Sequence, residues 1–322
     1  MRRFFLILLF AIVAGGAIWS FTVVSSWTDE GPLAEERNVV IPRGSSQTAA
    51  AQLLEEQGVL ADAQRFTLLA RFLGNDMPIR AGEFRFPAGV SPSQALNIMQ
   101  TAEPVQRRIT IPEGLPSILV HERLMAADFL TGSVPVPEEG SVLPDTYQYE
   151  RNETRAAVLQ RMQQAMTDEL AAAWQDRSSD TVATTPEEAI ILASIVEKET
   201  GTPEERTMVA GVYSNRLRQG MRLQADPTII YLQTRGKPLG RRILRSEIER
   251  VDGYNTYSMD GLPAGPITNP GRASLEAVLN PADTDALYFV ADGTGGHVFA
   301  KTLAEHNENV RKWRAFRRER GI

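Results

Sequence analysis

The segment Thr185-Pro-Glu-Glu-Ala-Ile-Ile-Leu-Ala-Ser-Ile-Val-Glu-Lys-Glu-Thr-Gly201 brings two carboxylates, Glu197 and Glu199, to the end of what its pattern predicts is one helix. At about 100° per residue, Leu192, Ile195 and Val196 fall on a single stripe, and Glu199 continues that stripe. Glu197 points more than a quarter-turn away. A carboxyl set against apolar walls, at the helix end where the macrodipole disfavours negative charge, has its pKa raised and can hold a proton near neutral pH. That is the specification of a general acid. The competing reading makes Glu199 a last-turn residue whose tip reaches solvent.

The elements that must position these groups are marked by their ends. Thr185 caps the helix, Pro186 suits its first position, Glu188 completes a capping box, and Gly201 with Pro203 stops it. A helix over about 155–174 precedes it. The next helix is expected to open on a second capping box, Thr202-Pro-Glu-Glu205, to carry Val209, Val212, Tyr213 and Leu217 on one apolar face, and to stop at Gly220. Asp226-Pro227 is expected to cap a further short helix, with Asp226 as N-cap. Residues 287–290 and 298–300 form a predicted hairpin around Asp292-Gly-Thr-Gly-Gly296, and the arginine-rich stretch 311–320 is the solvated face of a final helix.

Ahead of this lies a smaller alternation of elements. Val39-Val-Ile-Pro-Arg-Gly44 is a strand running into a turn, Ser46 or Thr48 starts a helix, a second helix covers about 63–73, Gly82-Glu-Phe-Arg-Phe86 alternates as a strand, and Ser91 caps a third helix. Before it, residues 4–24 are predominantly apolar and uncharged, with Arg2 and Arg3 on one side and Asp29 and Glu30 on the other. That length spans a bilayer and the charge asymmetry keeps the N-terminus in the cytoplasm, with Trp27 at the outer interface; the alternative is a cleaved signal peptide. The domain reading is therefore 1–27 anchor, 28–37 polar linker, 38–106 small αβ module and 107–322 catalytic domain, an α+β chain overall. A net charge of −6 and the lack of a basic, aromatic-interleaved groove argue against nucleic acid as a partner. The absence of cysteine excludes disulfides and Cys-based zinc sites, and His121, His297 and His306 lack metal-ligand spacing, so no metal and no cofactor is expected.

Downstream of Ser194-Ile-Val-Glu-Lys-Glu-Thr200 come Arg222-Leu-Gln-Ala-Asp-Pro-Thr-Ile-Ile-Tyr231, Tyr254-Asn-Thr-Tyr257, Gly261-Leu-Pro-Ala-Gly-Pro-Ile-Thr-Asn-Pro-Gly271, Leu287-Tyr-Phe-Val-Ala-Asp292 and Gly296-His-Val-Phe299. This ordered set resembles the endolytic murein transglycosylase family, also called YceG-like or MltG, over most of residues 108–310. Ala264 departs from it, since the family more often has a second Pro there. The resemblance implies a membrane-anchored, lysozyme-like catalytic domain that cuts peptidoglycan glycan strands internally, preceded by a LysM-like module that contacts glycan or acts as a spacer. It implies one catalytic Glu in the Val-Glu-Lys-Glu segment. A more distant likeness to the helix-terminal Glu of soluble transglycosylases favours Glu199 over Glu197, although both stay candidates.

On that footing, Gln224 and Asp226, with Arg222 beside them, are candidate contacts for sugar hydroxyls or N-acetyl groups, and Asp226 is equally a cap. Tyr254, Asn255 and Tyr257 sit in a loop without apolar periodicity, where aromatic faces and an amide suit pyranose rings; the alternative is that a Tyr plugs the core. His297, at the mouth of the hairpin, is a further candidate. A single acid suits a transglycosylase, which closes a 1,6-anhydro ring on N-acetylmuramic acid and needs no second carboxylate. The alternatives are a hydrolytic muramidase using Glu197 or Asp226 to activate water, and a non-catalytic peptidoglycan-binding scaffold. Expected partners are glycan strands and the cell (inner) membrane, with peptidoglycan synthases left open.

Overall fold

A computed structural model of the chain describes residues 2–321; within its first helix the side chains of residues 2–8, 11 and 17–20 lie outside the description. The chain divides into two compact units, residues 1–107 with 149–152, and residues 108–148 with 153–322.

The first unit runs α1 (Arg2–Thr28), β1 (Arg37–Ile41), α2 (Gln47–Glu56), α3 (Ala63–Leu73), β2 (Gly82–Phe86) and α4 (Pro92–Thr101). The two strands pair antiparallel with Val39 opposite Phe84. Alternation turns Val39, Ile41, Phe84 and Phe86 inward, where they meet Leu54 of α2, Phe66 of α3 and Met99 of α4. Ser46, Asp62 and Ser91 cap the three helices, each accepting the N–H three residues on.

Two expectations about the approach to this unit change. Trp27, placed by the sequence at a membrane interface, is buried in this core with its ring 5.7 Å from that of Phe66. The stretch read as a linker is packed as well: Leu33 is buried, its carbonyl accepts from the N–H of Gly89 at 2.8 Å, and Gly31 donates to Gly89 at 3.2 Å. One buried side chain, Leu33, and two backbone bonds to Gly89 dock a stretch that polar composition alone marks as free, while residues 34–37 stay exposed. The expected anchor rests largely on side chains outside the description, and among the described residues no helix is long and apolar enough to cross a membrane.

Apart from the end residues Arg107 and Tyr149, the second unit contains β3 (Arg107–Thr110), α5 (Ser117–Ala126), β4 (Thr146–Tyr149), α6 (Arg155–Gln175), α7 (Pro186–Glu199), a 3₁₀ turn at Pro203–Glu205, α8 (Arg206–Arg218), α9 (Asp226–Thr234), α10 (Arg245–Ile248), α11 (Arg272–Leu279), β5 (Tyr288–Ala291), β6 (His297–Ala300) and α12 (Leu303–Arg320). β3 pairs with β4, and β5 pairs antiparallel with β6 in the expected hairpin. α5 has no counterpart in the sequence reading; it follows Pro116 and has no side-chain cap to announce it.

α7 is the element on which the unit is organised. Leu192, Ile195 and Val196 are wholly buried against Val209 and Tyr213 of α8 and Leu275 and Val278 of α11, and each such side chain contributes about 2 kcal/mol by leaving water. The start of α7 differs from a standard capping box. Thr185 accepts from the Glu188 N–H at 3.2 Å, but Glu188 reaches back one residue further, to the N–H and hydroxyl of Thr184 at 2.7 and 2.6 Å. The 261–271 segment forms no helix or strand and is held by buried polar groups instead. Asn269 accepts from the Val142 N–H and donates to Leu115 O and Ser117 Oγ, while Ser194 of α7 accepts from the Ile267 N–H at 3.0 Å. Unpaired, each of these buried groups would cost about 1–3 kcal/mol, so the segment has one conformation available beside α7.

Candidate active site

The last turn of α7 sends its two carboxylates to different places. Glu197 turns toward the start of α11, where its Oε2 accepts from Ser274 Oγ at 2.7 Å and from the N–H of Gly271, the N-cap of α11, at 3.0 Å. Arg206 lies 3.8 Å from its other oxygen. An anion at a helix N-terminus, with hydrogen bonds and a cation, is a satisfied anion. Gly114, at φ +68°, lies against it so closely that a Cβ there would come within 3.3 Å of Glu197 Cγ.

Glu199 faces the other way, into a cleft of about 270 Å³ that it shares with Tyr213 and Arg216 of α8, Leu223 and Gln224, Asp226 of α9, Tyr257, Phe289 of β5 and His306 of α12. It is reached only partly by solvent, through that cleft. Burial pushes its carboxyl up to about 7; the hydrogen bond from the Tyr213 hydroxyl opposes this, the negative charge of Asp226 adds to it, and the positive charge of Arg216 opposes it. Tyr213 is itself buried, its ring meeting Phe289 edge-on at 5.8 Å, and burial together with Glu199 raises its hydroxyl pKa well above the ordinary value, so it stays a donor. The chemical consequence is a carboxylic acid, held by a neutral phenol, that keeps its proton well above the pH at which an ordinary glutamate loses it and is still partly protonated near pH 7.

The other wall is built by α9 and the loop over residues 251–260. Asp226 does not cap α9: Ala225 is the N-cap, without a side-chain bond, and Asp226 accepts from the Tyr257 hydroxyl at 2.6 Å. The tyrosine captures the carboxylate that a cap would have used. Gln224 adopts φ +53°, a left-handed conformation that a residue with a long side chain seldom takes, and its N–H donates to Thr256 O at 3.1 Å. Thr256 Oγ1 in turn accepts from the Ala225 N–H at 2.9 Å. Arg222 is directed to Asp260 at 3.1 Å and to Tyr257 O at 2.9 Å, so it holds this loop in place.

Glu199, Gln224, Asp226 and Tyr257 therefore converge, and the remaining candidates do not. Asn255 is fully buried, with its amide donating to the carbonyls of Glu247, Ile248 and Arg250 and its Oδ1 accepting from the Tyr257 N–H; it braces the loop and has no group left for a sugar. Tyr254 lies against Tyr231, ring centroids 5.1 Å apart, and packs on the core. His297 bonds Glu205 through its N–H at 2.8 Å and its Nδ1 at 2.7 Å. This also undoes the second expected capping box, since Glu205 is occupied by His297 and Thr202 donates to Gly295 O. The cleft residues missed from the sequence are Tyr213, Arg216, Leu223, Phe289 and His306. The signal for two of them was present: Tyr213 and Arg216 lie three apart on the buried face of α8, polar groups in an apolar stripe like Glu199 itself.

A carboxyl with a raised folded-state pKa penalises the fold once it ionises. Relative to an ordinary value of 4.5, the penalty is absent below about pH 4.5, grows through the interval, and is complete above about 7. Glu199→Gln should therefore stabilise the protein by an amount that rises from near zero at pH 4.5 to about 3 kcal/mol at pH 8. Denaturant unfolding of both proteins at the two pH values checks this, and a difference independent of pH would contradict it.

Comparison with known proteins extends beyond the cleft. The model of the YceG-like family matches residues 39–312. The endolytic murein transglycosylase of Bacillus subtilis strain 168 is 26% identical over 315 aligned residues, covering 88% of this chain and 86% of the relative. The proteins of the same name from Streptococcus pneumoniae strains D39 and R6 are 29% identical over 356 aligned positions; the alignment covers 95% of this chain but 64% of theirs, so this chain spans just under two thirds of the pneumococcal length. A crystal structure of a YceG-like protein from Listeria monocytogenes superposes with a TM-score of 0.52 at 28% identity, covering 85% of this chain and 98% of that one. With a family match that runs through both units and includes every residue of the Glu199 cleft, the chain belongs to the YceG-like family.

Proposed function

We propose that this protein is an endolytic lytic transglycosylase of peptidoglycan, with Glu199 as its single acid and base. The observation that carries the reading is the placement of Glu199 at the wall of an open cleft beside the Tyr213 hydroxyl, where burial raises its pKa to about 7, with Glu197 engaged elsewhere by Ser274 and the Gly271 N–H. The relatives named endolytic murein transglycosylase support the substrate class. In the first step the Glu199 proton passes to the glycosidic oxygen that leaves N-acetylmuramic acid, and the C1–O bond breaks with its electron pair going to that oxygen. The oxocarbenium-like C1 is stabilised by the sugar's own N-acetyl group or by local dipoles. In the second step the C6 hydroxyl oxygen bonds to C1 and its proton returns to Glu199. No water is consumed and the enzyme ends as it began.

Asp226 supplies a second reading, because a carboxylate sharing the cleft could activate water and make the enzyme a hydrolase. The Tyr257 hydroxyl already donates to one of the Asp226 oxygens at 2.6 Å, which leaves less of the carboxylate free to receive a water proton. The products separate the two: mass spectrometry of digested glycan strands should find 1,6-anhydro ends, and reducing ends would establish the hydrolase. Size-resolved digests should show long strands shortening before small fragments build up. Turnover should fall as pH rises through about 7, where Glu199 loses its proton. Glu199→Gln should lower it at least roughly 100-fold, whereas Glu197→Gln, which removes an anchor of α11, should cost mainly stability. If Glu197→Gln abolishes turnover in a folded protein and Glu199→Gln keeps it, the acid is Glu197.

The membrane anchor over residues 1–27 and the LysM-like character of residues 38–106 belong to the same proposal. The apolar, uncharged run of residues 4–24 supports the first, and the strand–helix–helix–strand order of β1, α2, α3 and β2 supports the second. The full chain should stay with membranes after a high-salt wash, with a C-terminal reporter active only outside the cytoplasm, and Glu199→Gln protein should still bind insoluble peptidoglycan. Release by salt, or a reporter active in the cytoplasm, would remove the anchor from the proposal.

A further inference from the structure

Arg216 is a buried cation without an anion. The residue is 8% exposed, its Nε donates to Leu287 O at 2.7 Å, and its Nη1 donates to Leu223 O at 2.8 Å and to Arg222 O at 3.4 Å. The guanidinium carbon stands 5.3 Å from the ring centroid of Tyr288. Each of these partners is a dipole or a ring, and among the described residues no carboxylate lies within ion-pair distance of it. An arginine cannot lower this cost by losing its proton, and a buried charge left with dipoles alone is expensive to keep. A residue that served packing only would not need the charge.

The cleft explains it. Arg216 lies three residues beyond Tyr213 on α8, so it shares a helix face with the phenol that holds Glu199, and it lines the same cavity. The groups that face Glu199 there are Tyr213 and Arg216 from α8, Asp226 from α9, Tyr257 from the 251–260 loop and His306 from α12. Tyr213 is a neutral donor, Asp226 is bonded to Tyr257, and His306 is kept neutral by burial and by Arg216 itself. Arg216 is thus the one permanent cation among the described lining residues.

We propose that Arg216 is a positioning residue whose fixed charge is held in reserve for the Glu199 carboxylate that exists between the two steps of the reaction. The inference rests on the transglycosylase reading. While Glu199 carries its proton, the cation faces a neutral acid. When that proton moves to the glycosidic oxygen and the C1–O bond breaks, the new carboxylate meets a positive charge already in place. When the C6 hydroxyl returns a proton to Glu199, the charge is again unpaired. Arg216 exchanges no proton. The three carbonyl bonds keep the cation fixed without neutralising it, which an ion pair would do, and a rigid guanidinium fork suits that anchoring better than an ammonium.

The test compares full-length Arg216→Met, which removes the charge, with Arg216→Lys, which keeps it. Both are first checked for folding by thermal melting. Loss of the cation should move the alkaline limb of the pH–rate profile upward by about one pH unit and lower kcat about tenfold or more, with KM little changed, and Arg216→Lys should bring the limb back. If Arg216→Met does not fold, the wild-type protein carries the test: the Arg216 Nε resonance should titrate with Glu199, and that step should vanish in Glu199→Gln. A folded Arg216→Met with the wild-type limb, or an Arg216 resonance indifferent to Glu199, would overturn the inference. Reducing ends from the wild-type protein would instead defeat the transglycosylase reading on which it rests.

Discussion

Two residues apart on the final turn of α7, Glu197 and Glu199 are sent to different surroundings. Glu197 meets the start of α11, a serine hydroxyl and an arginine, which occupy its oxygens. Glu199 meets a phenol at the wall of an open cleft, and its burial there raises its pKa to about 7. Neither environment exists without the wedge of α7 between α8 and α11. The buried leucine, isoleucine and valine of α7 fix its rotation, and turning the helix by about half a turn would carry each carboxylate toward the other's surroundings.

The rest of the second unit can be read as what keeps that wedge in place. The 261–271 segment, without regular structure, is tied to α7 through Ser194 and to the loop before β4 through Asn269. The 251–260 loop is braced by Asn255 from within and by Arg222 from outside, and so presents Tyr257 to Asp226. Residues that look like ligand contacts in the sequence, polar and in loops, here spend their hydrogen bonds on backbone groups. A buried polar residue that anchors a functional loop and an exposed one that binds substrate have the same composition, and only the partner tells them apart.

That ambiguity marks how far the sequence was legible. Periodicity and end signals were enough for α7, for the β5–β6 hairpin and for the strand–helix–helix–strand order of the first unit, because these are local properties. The same helical arithmetic singled out Glu199, since a carboxylate in an apolar stripe is visible without knowing what it packs against. Tyr254, Asn255 and His297 were illegible for the reason just given: their partners, Tyr231, the 247–250 carbonyls and Glu205, are chosen by tertiary folding. Trp27 and Leu33 were misread because their burial depends on α3 and on the turn at Gly89. Arg216 was overlooked although its spacing from Tyr213 places both on one face, because a basic residue near a helix end is ordinarily solvated.

Everything proposed for the cleft depends on Glu199 being a neutral acid at the pH where the enzyme works. The most direct measurement is the infrared difference spectrum between the wild-type protein and Glu199→Gln in the carboxyl region, taken across a pH titration. A protonated Glu199 predicts a carboxylic-acid carbonyl band, present at pH 6 in the wild type and absent from the variant, that gives way to a carboxylate band with a midpoint near 7. A wild-type protein whose Glu199 contributes only carboxylate at pH 6, with its transition near that of an ordinary glutamate, would contradict the assignment of this residue as the acid.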